Sequence, residues 1–402
     1  MTLLAPRPNA VSRAPALGRL PDPVVSGRGR TPGAQVGPDW ILAGVALILA
    51  TVGALLVWSA TRTADVAAGG TGRSYLYRHL VNMVIGTVLA VGAARMDARL
   101  LRLFGPIVYV ASFLGLIAVL LIGTTINGAH AWIEIGGGLE VQPAEYAKLG
   151  LIVGLAVLFA QRGTGRPQDA HPRGRVVLEA IALSVAPLAL IMLQPDLGSA
   201  MVVAVAAFGV LLAAGVRARW TIGLTALGVA GAVFAIRAGV LAQYQVARFT
   251  NFTHPNADIQ GTGYNVLQAR IAIAHGGWFG QGLFHGAQTS AGIVPEQQTD
   301  FVFSAAGEQF GFIGSTLLVV LFGVLLWRAF RIAATADAAG RLVACGVVCW
   351  FAFQVFENIG MNLGMTPVTG LPLPFVSYGG SSMFAGALAI GLLQAVRMSG
   401  RR

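Results

Sequence analysis

Lysine is almost missing from this chain. Lys148 is the only one among 402 residues, and every other cationic side chain is an arginine. Charged residues of all kinds make up 11% of the sequence against 55% hydrophobic, and mean hydropathy is +0.72. No soluble domain of this size could hide so much apolar surface, so soluble globular classes are excluded. Only two cysteines occur, Cys345 and Cys349, inside one hydrophobic stretch, which excludes a disulfide framework and a zinc site. The few histidines form no HxxxH pair, and no CxxC is present. The glycine-rich GTGYNVLQARIAIAHGGWFGQG lacks the GKS or GKT of a nucleotide loop, and no serine elbow appears anywhere. The net charge of +11 comes from arginines scattered at the ends of apolar runs, not gathered into a patch, so nucleic acid is excluded as a partner.

What is present is a series of apolar windows, each long enough to cross a bilayer as a helix. They fall at 40–60, 77–95, 102–123, 143–161, 176–193, 197–215, 219–238, 303–327, 341–362 and 380–397. Long runs favour helices over a membrane barrel. The fold class is therefore an all-α integral membrane protein of about ten transmembrane helices, with a large extracytoplasmic loop at 239–302 between helices 7 and 8. Residues 1–38, rich in Pro, Gly and Arg, read as a disordered cytoplasmic tail and not as a signal peptide. Residues 39–398 form the polytopic domain, and 399–402 a short cytoplasmic C-terminus. A cytoplasmic tail followed by ten spans puts 20 of the 27 cationic residues inside, as the positive-inside rule requires. The unusual polar and Pro/Gly-rich segments then face outward, around Trp132, Asp196, the 239–302 loop and Pro372. Any chemistry is expected on that face, because long loops between spans tend to be lids or binding surfaces.

Asp300 ends the large loop, where the eighth span begins. With Thr299 it is placed to cap that helix, or to accept a proton from a substrate hydroxyl at the outer surface. Glu296 lies one helical turn before it and Glu308 two turns after. Glu145 and Lys148, three apart at the start of span four, share a helix face, either as a structural ion pair or as a phosphate-binding cation with its partner. Trp132 in GAHAWIEIGG reads as an interfacial belt residue or as a wall on which a sugar stacks. Glu357 and Asn358 lie in the apolar ninth span. The amide suits a helix contact, and the carboxylate is costly to bury without a function.

Taken in order, GAHAWIEIGG with QPAEYAKL, QPDLGSA, GTGYNVLQARIAIAHGG, VPEQQTDFVFSAAGEQFGFIG and NIGMNLGMTPVTGLPLPFVSYGGSS resemble the SEDS proteins (shape, elongation, division and sporulation), the family of RodA and FtsW. The GTGYN and PVTGLPLPFVSYGGSS blocks are more similar to RodA. The resemblance implies a peptidoglycan glycosyltransferase of the bacterial cell membrane that polymerises lipid II in cell-wall elongation. It carries the essential aspartate onto Asp300, the block tryptophan onto Trp132, and other block residues onto Glu145, Lys148 and Glu296. Lys148 with Arg248 or Arg270, or a divalent cation such as Mg or Mn, would stabilise the leaving diphosphate, and Glu357 would join the substrate site. The implied partner is a class B penicillin-binding protein, a transpeptidase docking on spans eight and nine, where Gly311, Gly314 and Gly346 would either permit its close approach or serve internal packing. The chain departs from many members in reading EQQTDF for EAHTDF, and Gly307-Glu308-Gln309 for GEE. A lipid II flippase and a non-catalytic scaffold are the rival readings. Outward polar loops without an inward counterpart argue against alternating access.

Overall fold

The structure, a computed structural model, describes residues 37–126, 128–136, 139–162, 171–239 and 262–399. The tail at 1–36 and the part of the large loop that holds Arg248 lie outside them. Seven long helices come first: α1 Trp40–Ala67, α2 Ser74–Ala94, α3 Ala98–Ile122, α4 Pro143–Arg162, α5 Gly174–Leu193, α6 Leu197–Ala213 and α7 Ala218–Arg237. After two helices in the described part of the large loop, α8 Thr262–Gly276 and one-turn α9 Ala287–Ser290, come α10 Val302–Thr335, α11 Ala338–Leu363 and α12 Gly380–Ser399. Among the described residues nine helices are long and apolar enough to span a bilayer, and α6 is a shorter apolar one, which together match the ten expected windows.

Three of these spans start at an aspartate that supplies the acceptor their first amides need. Asp39 accepts from the Leu42 N–H at 3.1 Å, Asp196 from Ser199 at 2.9 Å and Asp337 from Gly340 at 2.9 Å. The core lies where α11 meets α4 and α6. A Cβ on Gly346 would sit 2.7 Å from Ile152 and 2.8 Å from Val210, so this glycine lets α11 approach both neighbours. Gly311 likewise faces the backbone of Phe279 and Gly280, and Gly314 faces Phe310 of its own helix. Of the two uses open to these glycines, Gly346 and Gly311 take internal packing.

Three further features depart from the expectation of helices joined by loops. The segment around Trp132 is a small antiparallel sheet, β1 Thr124–Ile126, β2 Ala129–Gly136 and β3 Leu139–Val141, in the order β1-β2-β3. Thr124 lies opposite Trp132, and Ile133 opposite Val141. The large loop is partly helical. α8 turns Ala269 and Ala272 onto Val294, Phe301, Met361 and Val368, a satellite core separate from the main one. Finally, α10 is broken at Gly311 (φ 67°, ψ −166°), a conformation that needs glycine. The backbone groups freed by the break are recovered by the loop after α8. Glu308 and Gln309 carbonyls accept from Gln281 and Gly282 at 2.9 and 3.0 Å. The Phe312 and Ile313 amides donate to Gly277 and Trp278 at 2.8 and 3.1 Å. Non-helical backbone is tolerable at membrane depth only with such pairing.

Candidate functional site

Asp300 sits just before the N-terminal end of α10, in a turn whose backbone is held from two sides. The Glu296 carbonyl, in a residue with φ 50°, receives the amides of Thr299, Asp300 and Phe301 at 3.2, 3.0 and 3.2 Å. The next three carbonyls are then each taken by a different donor. Gln298 accepts from the Tyr378 amide at 2.8 Å. Thr299 accepts from the Ser377 hydroxyl at 2.5 Å. Asp300 accepts from the side-chain amides of Asn358 at 2.8 Å and Asn362 at 3.1 Å. The N-cap of α10 is Phe301, one residue after Asp300 and two after Thr299, the two expected caps, and the Thr299 hydroxyl turns back to the Glu296 carbonyl and carboxylate. The Asp300 carboxylate points toward Gly370, where a Cβ would come within 3.4 Å of its Oδ2. Gly370 has φ 74°, so the backbone there favours glycine.

The two donors to the Asp300 carbonyl come from one ladder on α11. Trp350, Gln354, Asn358 and Asn362 recur every four residues, so they share a helix face. The Trp350 indole donates to Gln354 at 2.6 Å, and Gln354 donates to the Pro372 carbonyl at 2.7 Å. Asn358 also holds the Leu371 carbonyl at 2.7 Å, and Asn362 accepts from the Ser304 amide at 3.0 Å. Residues 366–381 are thereby a hub. Its Ser381 hydroxyl reaches the Glu140 carbonyl at 3.1 Å and receives the Gln142 amide at 3.0 Å. Gln142 donates to Asp196 at 3.0 Å, and the His130 amide donates to the Gln194 carbonyl at 3.1 Å. The outward polar segments singled out in the sequence thus meet around one proline-rich connection. Burial, set against the nearby Arg78, pushes the Tyr378 phenol above its usual range, so it stays neutral there.

The other expected site residues divide into groups. Glu296 is exposed in the same turn as Asp300. Arg270 is exposed on α8, its stem 3.3 Å from where a Cβ on Gly364 would lie, at the C-terminal end of α11. Glu357 is buried beside Thr366, whose hydroxyl donates to its carbonyl at 3.2 Å. Trp132 is half-buried in β2, with its carbonyl 3.4 Å from the Thr124 hydroxyl. Glu145 and Lys148 lie deeper. Their ion pair is 2.6 Å long with side chains 1% and 0% exposed, and the ammonium stands 5.1 Å from the Trp350 ring centre. Lys148 therefore anchors the inner end of the α11 ladder and has no exposed ammonium to offer a diphosphate in this arrangement. Among the described residues no group of three or more His, Cys, Asp or Glu gathers where it could hold a metal ion. Gln354, Asn362 and Ser377 were missed in the sequence. The signal for the first two was a run of amides at four-residue spacing in an apolar span.

The family profile described as "Cell cycle protein", which spans FtsW, RodA and SpoVE, matches residues 39–402. Stage V sporulation protein E of Bacillus subtilis is 34% identical over 362 residues, covering 89% of this chain and 96% of that protein. The probable peptidoglycan glycosyltransferase FtsW of Alkalilimnicola ehrlichii is 34% identical over 371 residues, 90% of each. Two solved structures share the fold. A chain of the structure described as "Structural coordination of polymerization and crosslinking by a peptidoglycan synthase complex" has TM-score 0.74 and 33% identity, covering 90% of this chain and 98% of that one. The rod shape determining protein RodA of Thermus thermophilus has TM-score 0.65 and 31% identity, covering 91% and 99%.

Proposed function

The chain belongs to the FtsW/RodA/SpoVE family of cell cycle proteins, and on that premise we propose that it polymerises lipid II into peptidoglycan strands with Asp300 as general base. The observation that carries this reading is the grip on three consecutive carbonyls at 298–300, which fixes one acid at the outer end of a span. In the reaction the 4-hydroxyl oxygen of the acceptor GlcNAc bonds to C1 of the donor MurNAc. The C1–O bond to undecaprenyl diphosphate breaks, its electron pair leaves with the diphosphate, and the hydroxyl proton passes to the Asp300 carboxylate. A carboxylate is a modest base for a sugar hydroxyl, so fixed orientation must supply much of the rate. Arg270, exposed on α8, supplies positive charge to the leaving diphosphate. Lys148 contributes by holding α4 to Trp350.

The test is Asp300→Asn in purified protein given lipid II. Polymerisation is expected to fall to background with the thermal unfolding profile unchanged. An Asn variant that polymerises near the wild-type rate would overturn the mechanism.

The protein is a multi-pass protein of the bacterial cell membrane. We place both termini in the cytoplasm from the bias of 20 among 27 cationic residues, and its role in elongation from the GTGYN and PVTGLPLPFVSYGGSS blocks. Its partner is a class B penicillin-binding protein, a reading supported by the likeness to a chain of a synthase complex that joins polymerisation to crosslinking. With the glycines turned inward, contact falls to the exposed apolar side chains of α10 and α11, such as Leu317, Val320 and Phe356.

A further inference from the structure

Glu308 is a fully buried acid with no arginine or lysine among its hydrogen-bond partners, and the mechanism above does not use it. It lies two helical turns beyond Asp300, on the half-helix that precedes the break at Gly311. Its Oε1 accepts from the Gln288 amide at 2.8 Å. Its Oε2 accepts from the Thr289 amide at 2.8 Å and the Thr289 hydroxyl at 2.5 Å. Short bonds to a buried carboxylate are strong and geometrically strict. The room for them depends on Gly286, where a Cβ would lie 2.6 Å from Oε2. The network then continues to the site. The Thr289 hydroxyl accepts from the side-chain amide of Gln297 at 3.1 Å, and Gln297 is 3% exposed and three residues before Asp300.

The hub and α11 hold the Asp300 turn by its carbonyls at 298–300. Through its side chain, Gln297 ties the same turn to Thr289 and Glu308, on elements other than those that hold the carbonyls. The turn thus has a second attachment beside the one at 298–300. We propose that Glu308 is a positioning residue for Asp300, acting through Thr289 and Gln297. This inference rests on the polymerase reading of the site.

Polymerisation of lipid II is measured as kcat and KM for the purified full-length protein and for D300N, E308Q, T289V and T289S, with thermal unfolding of each in detergent. Thr289→Val keeps the shape and removes the hydroxyl, whereas Thr289→Ser keeps the hydroxyl and loses the methyl. E308Q and T289V should lower kcat by about ten- to a hundredfold with KM within about twofold, the signature of a displaced catalytic group. T289S should retain near wild-type kcat. Should E308Q fail to fold, the two Thr289 variants decide by the same criterion. If folded T289V and E308Q keep wild-type kcat while D300N is inactive, or if T289V and T289S lose activity equally, Glu308 only packs the loop and the inference fails. A wild type that does not polymerise lipid II, or a D300N that does, refutes instead the reading on which the inference rests.

Discussion

Replacing Lys148 by Met separates two roles that the sequence left open. Lys148 and Glu145 are 0% and 1% exposed and 2.6 Å apart, and the second carboxylate oxygen of Glu145 has no hydrogen-bond partner. Removing the lysine strands that carboxylate in the core, at a cost of about 3–5 kcal/mol. Loss of the ammonium over the Trp350 ring adds about 0.5–2 kcal/mol. The double change Glu145→Gln with Lys148→Met removes both charges and retains similar volume, so most of the first cost should vanish. The expected stability order is wild type close to the double variant, with Lys148→Met well below both. Denaturant or thermal unfolding in detergent measures the order, and lipid II polymerisation is followed in parallel. A Lys148→Met protein as stable as wild type would refute the burial argument. A double variant that regains stability but not polymerisation would show that the lysine charge serves the reaction, and would restore it as a diphosphate ligand.

Asn358→Ala removes the donor to two carbonyls, Leu371 and Asp300, of which Asp300 keeps Asn362. It should cost about 1–3 kcal/mol in unfolding experiments and lower kcat for lipid II more than it raises KM. Asp39 joins α1 to the distal helices through Arg328 at 2.5 Å and through Arg397. Burial raises its carboxyl pKa, but the Arg328 hydrogen bond, the Leu42 amide and the two arginine charges outweigh this and hold it below the ordinary 3.8. The folded pKa is the lower one, so its stabilisation is complete above pH 3.8 and is lost as pH falls through the folded value. Unfolding scans should show Asp39→Asn less stable than wild type at neutral pH, the gap closing on acidification below that range. Leu317→Ala with Phe356→Ala should reduce copurification of the transpeptidase partner while basal polymerisation persists, and unchanged copurification would move the interface elsewhere.

The ten spans were legible because lipid imposes one demand, about twenty apolar residues with every backbone group paired inside the helix. What lipid does not dictate was harder to read. GAHAWIEIGG carries an alternation suited to a strand, but a strand of eight residues forms only with neighbours, and those neighbours are three-residue strands with almost no pattern. α8 was hidden because the residues it buries are small, Ala269 and Ala272, and give a weak helical signal. Glycine was the most misleading residue. The same small side chain serves contact with a partner or close packing within the chain, and only the positions of Ile152 and Val210 show that Gly346 does the second.

At the site, Asp300 was legible as an acid placed where a polar outward loop meets a span, and its support was not. Asn358 lies 58 residues away in sequence and Ser377 lies 78 residues from Thr299, distances over which local pattern carries no information. The arrangement still follows from a physical constraint that the sequence does state. An acid that is to take a proton from a substrate hydroxyl must be oriented toward it. Holding the chain by the carbonyls at 298–300 orients the side chain through its own backbone. The donors for such a grip must be neutral amides and hydroxyls, because a cation close by would weaken the base. Asn358, Asn362, Ser377 and the Tyr378 amide are donors of that kind. The lysine that the sequence offered as a neighbour is kept at the far end of the ladder, already paired.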